Sequence, residues 1–220
     1  MELIEIMEQR HSVRQYADKK IEEEKRTALN ALIAQINQEH GLHIQIFYDE
    51  PKCFDAMMAH YGKFDGVRNY IALVGKKSAD LEETLGYFGE QIVLKAQELG
   101  LNTCWVALTH GKSEAQICKN EKQVCLISVG YGKTSGITHK NKALNELCNY
   151  KNDMPEWFLS GMKAVLFAPT AMNQQKFYFE LSDDGRVKAA CKKGFYTKLD
   201  FGIVKYHFEA VTGKKIIAMR

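Results

Sequence analysis

The chain has 220 residues, of which 45% are hydrophobic and 26% charged, with a net charge of +3. A chain this long buries about 70% of its extended surface and needs neither disulfides nor metal to fold; its balanced composition excludes disordered, collagen-like and low-complexity classes. The charge is too mild to imply a nucleic-acid partner, which needs Lys and Arg gathered on one face.

No apolar run reaches the length of a membrane span, so no membrane partner is expected. Glu2, Glu5 and Glu8 stand where a signal peptide would carry positive charge, so the expected location is cytoplasmic.

Leu3, Ile4, Ile6 and Met7 recur at helical spacing and predict a short helix over 2–10. A longer one is predicted over 20–38, with Ile21, Leu29, Ile33 and Ile36 on one face, acids in its first turn and Gly41 as its stop. Leu42, Ile44 and Ile46 alternate with other side chains, which predicts a strand over 42–47; residues 53–60 read as a short helix. Tyr70 to Val74 is a continuous apolar run of strand length, the pattern of a strand buried on both faces.

The clearest helix spans 80–99 and stops at Gly100. Leu101–Ala107 and Val124–Val129 read as strands, and the second opens into a basic, glycine-bearing loop from Gly130 to Lys142. A helix from Pro155 to Phe167 is halted by Ala168-Pro169; a strand from Lys176 to Leu181, a turn at Asp183–Gly185 and a last helix over 197–212 complete the chain. Helices and strands mix without strict alternation, so the expected class is α+β.

The six cysteines form no Cys-x-x-Cys pair and are expected to be reduced and mostly buried. His40 and His43 lie three apart, but no neighbouring Cys, Asp or Glu completes a set at zinc spacing, so no metal is expected. Phe88-Gly89 and Phe201-Gly202 each stand at the same distance before a helix-ending glycine, Gly100 and Gly213. That echo is either coincidence or the trace of two related halves.

Two segments carry candidate chemistry. In Arg10-His11-Ser12-Val13-Arg14-Gln15-Tyr16, two guanidiniums flank a hydroxyl, a donor set suited to phosphate; a basic helix end answering the helix dipole is the plainer alternative. In Ala168-Pro169-Thr170-Ala171-Met172-Asn173-Gln174-Gln175, small residues let backbone approach a flat ligand while Asn173 offers a donor and an acceptor; an ordinary helix-to-strand loop is the alternative. Gly132-Lys133-Thr134 after a strand is not a P-loop, because Ile127 holds the position of the required glycine. No Gly-x-Gly-x-x-Gly fingerprint is present either.

Together these segments resemble the nitroreductase family, whose members bind FMN. The Arg-x-Ser-x-Arg-x-aromatic opening is matched by Arg10, Ser12, Arg14 and Tyr16, and the family's Ala-Pro-Ser-x-x-Asn-x-Gln loop by Pro169, Thr170, Asn173 and Gln175. Leu99-Gly100-Leu101-Asn102-Thr103-Cys104-Trp105 is similar to the family's Leu-Gly-Leu-x-Thr-Cys-Trp; Gly130-Tyr131 followed by Lys140 and Lys142 is similar to its Gly-Tyr strand end and basic pair. In typical members the Pro-Ser-x-x-Asn loop follows the arginine motif closely, and each flavin is shared between the subunits of a homodimer. Here the loop stands near residue 170, so the resemblance implies a monomer with two fused, divergent halves: 1–150 with the arginine motif and 151–220 with the Asn loop.

The resemblance implies that Arg10, Lys140 and Lys142 neutralise the FMN phosphate and that His11 and Ser12 donate to phosphate or ribityl oxygens. Arg14 would face the pyrimidine edge and raise the flavin potential; a backbone N–H near Ala107 or Leu108 would face N5. Asn173 would read the ring's polar edge, with Pro169, Thr170 and Ala171 packed along it. NAD(P)H would supply the hydride, and a nitroaromatic, quinone or similar small electrophile would receive it, with no protein nucleophile or general acid required. A non-catalytic flavin-binding or flavin-sensing protein on the same fold is the alternative.

Overall fold

The computed structural model describes residues 2–219. In chain order its elements are helix α1 (Leu3–Gln9), α2 (Glu23–His40), strand β1 (Gln45–Phe47), α3 (Met57–Tyr61), β2 (Tyr70–Lys76), α4 (Leu81–Glu98), β3 (Asn102–Val106), β4 (Glu121–Gly130), α5 (Leu144–Leu147), α6 (Glu156–Phe167), β5 (Phe177–Leu181), β6 (Val187–Cys191), α7 (Thr197–Thr212) and β7 (Ile216–Ala218). The fold is α+β, as the mixed pattern predicts. Two compact units share the chain: residues 9–81 with 91–138, and residues 2–8 with 82–90 and 139–219.

In the first unit β1, β2, β4 and β3 form, in that order, a wholly antiparallel sheet. Every residue of β2 up to Gly75 is buried, which is why its sequence is a continuous apolar run. Phe47 and Phe54 pack against the Tyr70 ring, and Phe64 packs edge-on against Phe54. Helix α2 buries Leu29, Ile33 and Ile36 and ends at Gly41, whose φ of 62° only glycine adopts without penalty. The expected strand over 42–47 is shorter: Asn37 brackets both backbone groups of Ile44 at 2.8 Å, and Leu42 keeps only a lone bridge to Gly75. The helix expected over 53–60 begins at Met57 instead, because the 53–55 backbone turns back onto Pro51.

In the second unit β5, β6 and β7 form a small sheet, and α6 lies against α7. The β6–β7 pair is parallel, with α7 as the crossover between them. Phe158, Phe179 and Phe208 form its aromatic core. Helices α4 and α7 cross at backbone contact in this unit. A Cβ at Gly202 would lie 2.0 Å from the Glu83 carbonyl oxygen, and one at Gly86 would lie 2.1 Å from that of Leu199. The glycine facing Gly202 is thus Gly86, one turn before the Gly89 that the sequence echo pairs with it.

All six cysteines are free; four are buried, Cys191 is partly so and Cys118 is exposed. Among the described residues no helix is long and apolar enough to cross a membrane.

Candidate functional site

The predicted site residues fall into two groups, one in each unit, together with the turn that follows β3. In the first unit the arginine motif runs extended and is stitched to two parts of the sheet region. Ser12 bridges Thr103 at the start of β3, and Val13 donates to the Thr103 carbonyl at 3.0 Å. Tyr16 bridges Gly132 just past β4, Lys133 donates to the Gln15 carbonyl at 2.8 Å, and Ala17 donates to that of Tyr131 at 2.7 Å. The Tyr16 hydroxyl is buried and meets the Ser128 hydroxyl at 2.8 Å, which anchors the motif to β4.

Arg10 is buried and Arg14 exposed, its guanidinium 5.9 Å from the Phe64 ring centre. Both guanidiniums and the Ser12 hydroxyl reach the electrostatic surroundings of Cys104 in β3. Burial pushes that thiol up, while Arg14, Ser12 and Arg10 pull it the other way. Burial and the neighbouring Arg10 charge hold His11 below the usual imidazole value, so it is neutral near pH 7. Its Nε2 stands 3.5 Å from the Thr138 hydroxyl. Gly136, at φ 79°, lets the loop after β4 lie on this motif: a Cβ there would stand 2.6 Å from that of His11. Ala107 and Leu108 follow the end of β3, with Leu108 largely exposed.

In the second unit, Lys140 and Lys142 meet the Pro169–Gln175 loop. The Lys140 carbonyl accepts from Asn173 Nδ2 and from Gln175 Nε2, each at 2.8 Å. Lys142 Nζ donates to the carbonyls of Gln174 (3.0 Å) and Gln175 (3.1 Å), and its N–H donates to Gln175 Oε1. Asn173 Oδ1 accepts from Gln175 Nε2 at 2.9 Å, so one polar atom of this amide is engaged within the loop and the other on Lys140. Thr170 Oγ1 accepts from the Gln175 N–H, and the Ala171 N–H donates to Asp200 Oδ1 at 2.8 Å. Met172, Asn173 and Gln175 all have positive φ, at 53°, 52° and 45°. Such backbone persists only where its surroundings over-determine it, and Gln175 and Asp200 supply that restraint. The sequence offered no sign of this role for Asp200, which lies 29 residues from Ala171.

Burial raises the Asp200 carboxyl to about 6, outweighing its bonds from Ala171 and from Gln174 Nε2. The folded state therefore holds this proton more tightly than the unfolded chain. Its contribution is fully present below about pH 4 and is lost as pH rises through about 6, a change of roughly 3 kcal/mol. Asp200→Asn is expected to leave stability unchanged at pH 4 and raise it by roughly 1–3 kcal/mol at pH 8. Thermal unfolding of both proteins across that range checks the sign; a gain confined to low pH would refute it.

The sequence shows no set of residues at zinc spacing, and the fold adds one grouping that spacing alone does not reveal. Among the described residues, the fold brings His43, Cys118 and Glu121 together, with one ligand atom of each within 4.8 Å of the others. Local spacing could not show this, because His43 is 78 residues from Glu121.

The family model described as "Putative TM nitroreductase" matches residues 2–212. The chain belongs to this nitroreductase family of oxidoreductases. A Thermotoga maritima structure described as a "putative nitroreductase" superposes with a TM-score of 0.73 at 22% identity, covering 100% of this chain and 90% of that one. A "putative NADH oxidase" from Clostridium acetobutylicum gives 0.51 at 20% identity, over 68% of this chain and 99% of that one. A Desulfovibrio desulfuricans "putative nitroreductase in complex with FMN" gives 0.52 at 17% identity, over 70% and 99%. At these identities the likeness is one of fold. No curated protein matches the chain.

Proposed function

We propose that the protein is an FMN-dependent oxidoreductase that takes hydride from NAD(P)H and delivers it to a nitroaromatic, quinone or similar electrophile. The observation that carries this reading is the packing of the arginine motif on β3 and the loop after β4. That packing holds two guanidiniums, a hydroxyl and a neutral imidazole in one short stretch. The donor set fits a phosphate-bearing ligand, because Arg offers paired N–H donors and Ser and His add neutral ones. FMN in a structure of the same fold supports the choice of ligand. Bound FMN supplies the hydride chemistry itself.

In this proposal Arg10, His11 and Ser12 hold the phosphate and ribityl oxygens, and Lys140 adds positive charge. Arg14, exposed and laid along Phe64, supplies the cation beside the pyrimidine edge. A backbone N–H at Ala107 or Leu108 orients the reacting face. Pro169, Thr170 and Ala171 line the ring, while Asn173 and Lys142 keep their loop in shape through the bonds just described. The protein acts as a monomer whose fused halves replace a dimer. Supporting this, nitroreductase-like chains covered over nearly their whole length account for about 70% of this one, and the Gly86–Gly202 crossing packs two helices of a single chain.

One purification tests the reading. The protein, sized by light scattering as a monomer, is expected to carry one FMN and to be bleached by NAD(P)H without oxygen on a turnover timescale. Arg14→Ala is expected to weaken FMN retention tenfold or more and to slow bleaching. A colourless protein that rejects added FMN would refute the proposal. Bound flavin that NAD(P)H leaves oxidised would make the protein a flavin binder rather than an enzyme.

A further inference from the structure

His43, Cys118 and Glu121 come from two segments of the first unit: His43 from the lead into β1, and Cys118 and Glu121 from the turn that opens β4, where the Cys118 N–H donates to Glu121 Oε2 at 2.9 Å. Their ligand atoms lie within 4.8 Å of one another, and His43 Nδ1 is already 2.9 Å from Glu121 Oε2. A tetrahedral zinc with bonds of about 2.3 Å to sulfur and about 2.0–2.2 Å to nitrogen and oxygen sets its ligands roughly 3.3–3.7 Å apart. Small side-chain movements alone bring the three atoms to that spacing.

Bonds that involve none of the three ligand atoms hold the segments in place. The Gln45 amide clamps residue 116 in both directions, donating to its carbonyl at 2.9 Å and accepting from its N–H at 3.0 Å. The Glu121 N–H donates to the Cys118 carbonyl at 3.0 Å, the Lys77 N–H to that of Asn120 at 2.8 Å, and the His43 N–H to that of Val74 at 3.0 Å. Cys118 is exposed and His43 half-exposed, so an ion has a path in and a water can take the fourth position.

We propose that this trio is a zinc-binding site that ties the end of the connection after β3 to the sheet edge. Imidazole, thiolate and carboxylate together select Zn²⁺ over Mg²⁺ and Ca²⁺, which demand oxygen ligands. On binding, His43 offers the Nδ1 lone pair of a neutral ring that keeps its hydrogen on Nε2, Glu121 offers a carboxylate oxygen, and the thiol proton of Cys118 passes to solvent, with no change of oxidation state.

Titrating reduced, chelator-treated protein with Zn²⁺ tests the site by calorimetry. One saturable equivalent per chain is expected, together with protection of Cys118 from alkylation. Cys118→Ser and His43→Gln are each expected to weaken binding tenfold or more while the unfolding midpoint of the metal-free protein stays put. Absence of saturable binding would overturn the proposal, as would wild-type affinity in Cys118→Ser, since the ion would then sit elsewhere. Neither outcome bears on the flavin reading, whose residues are different.

Discussion

Gly202→Ala is expected to destabilise the protein by about 3 kcal/mol or more. The new methyl has nowhere to go, because its neighbours are backbone rather than side chain: the Glu83 carbonyl oxygen at 2.0 Å and the Tyr87 nitrogen at 2.7 Å. Relief requires α4 and α7 to part, and several interactions resist it. Lys205 Nζ is 2.7 Å from Glu83 Oε1, and the Tyr87 hydroxyl donates to Glu209 Oε2 at 3.1 Å. The Tyr87 and Tyr206 rings meet edge to face at 5.2 Å. Gly213→Ala is the contrast. Its Cβ meets nothing within 4 Å, so only its φ of 67° opposes the change, at about 1 kcal/mol. Urea unfolding of the two variants separates steric crowding from backbone strain, and equal losses would show that the crossing is not limited by space.

That crossing also shows what the sequence made legible. Helices α2, α4, α6 and α7 are long and periodic enough to read directly, and β2 and β4 stand out as apolar runs between breakers. The shorter β6 and β7 do not: β6 is held along its length by antiparallel pairing with β5, and β7 by a parallel pairing with β6 that only the α7 crossover supplies. The arginine motif is legible as chemistry, yet its anchorage to Thr103 and Gly132 depends on pairings far apart in the chain. The Asn loop is recognisable by composition, whereas its backbone is not. Positive φ at Met172 and Gln175 defies the preference of those residues and rests on Asp200 and on bonds to Lys140 and Lys142. Long-range assembly hides the metal trio in the same way.

A second large effect is expected where the second unit buries ionisable groups. His207 and Glu90 have no exposed side-chain surface, and His207 Nε2 lies 3.0 Å from Glu90 Oε1. On its other side, His207 Nδ1 is 2.8 Å from the Ala164 carbonyl, which can only accept, so Nδ1 carries a hydrogen. One further proton lies along the Nε2–Oε1 line, and on whichever atom it resides the two side chains together carry no net charge. His207→Ala takes away the ring facing the Glu90 carboxyl, deprives the Ala164 carbonyl of its donor and opens a cavity. A loss of about 3–5 kcal/mol is expected. Adding Glu90→Gln removes the ionisable carboxyl from the same space and should recover at least about 1 kcal/mol, a coupling that a double-mutant cycle measures. If the two changes were additive, the pair would be packing like any other buried side chains. If His207→Ala stayed within about 1 kcal/mol of the parent, water would be reaching the site after all, and Glu90 would be solvated rather than held by the imidazole.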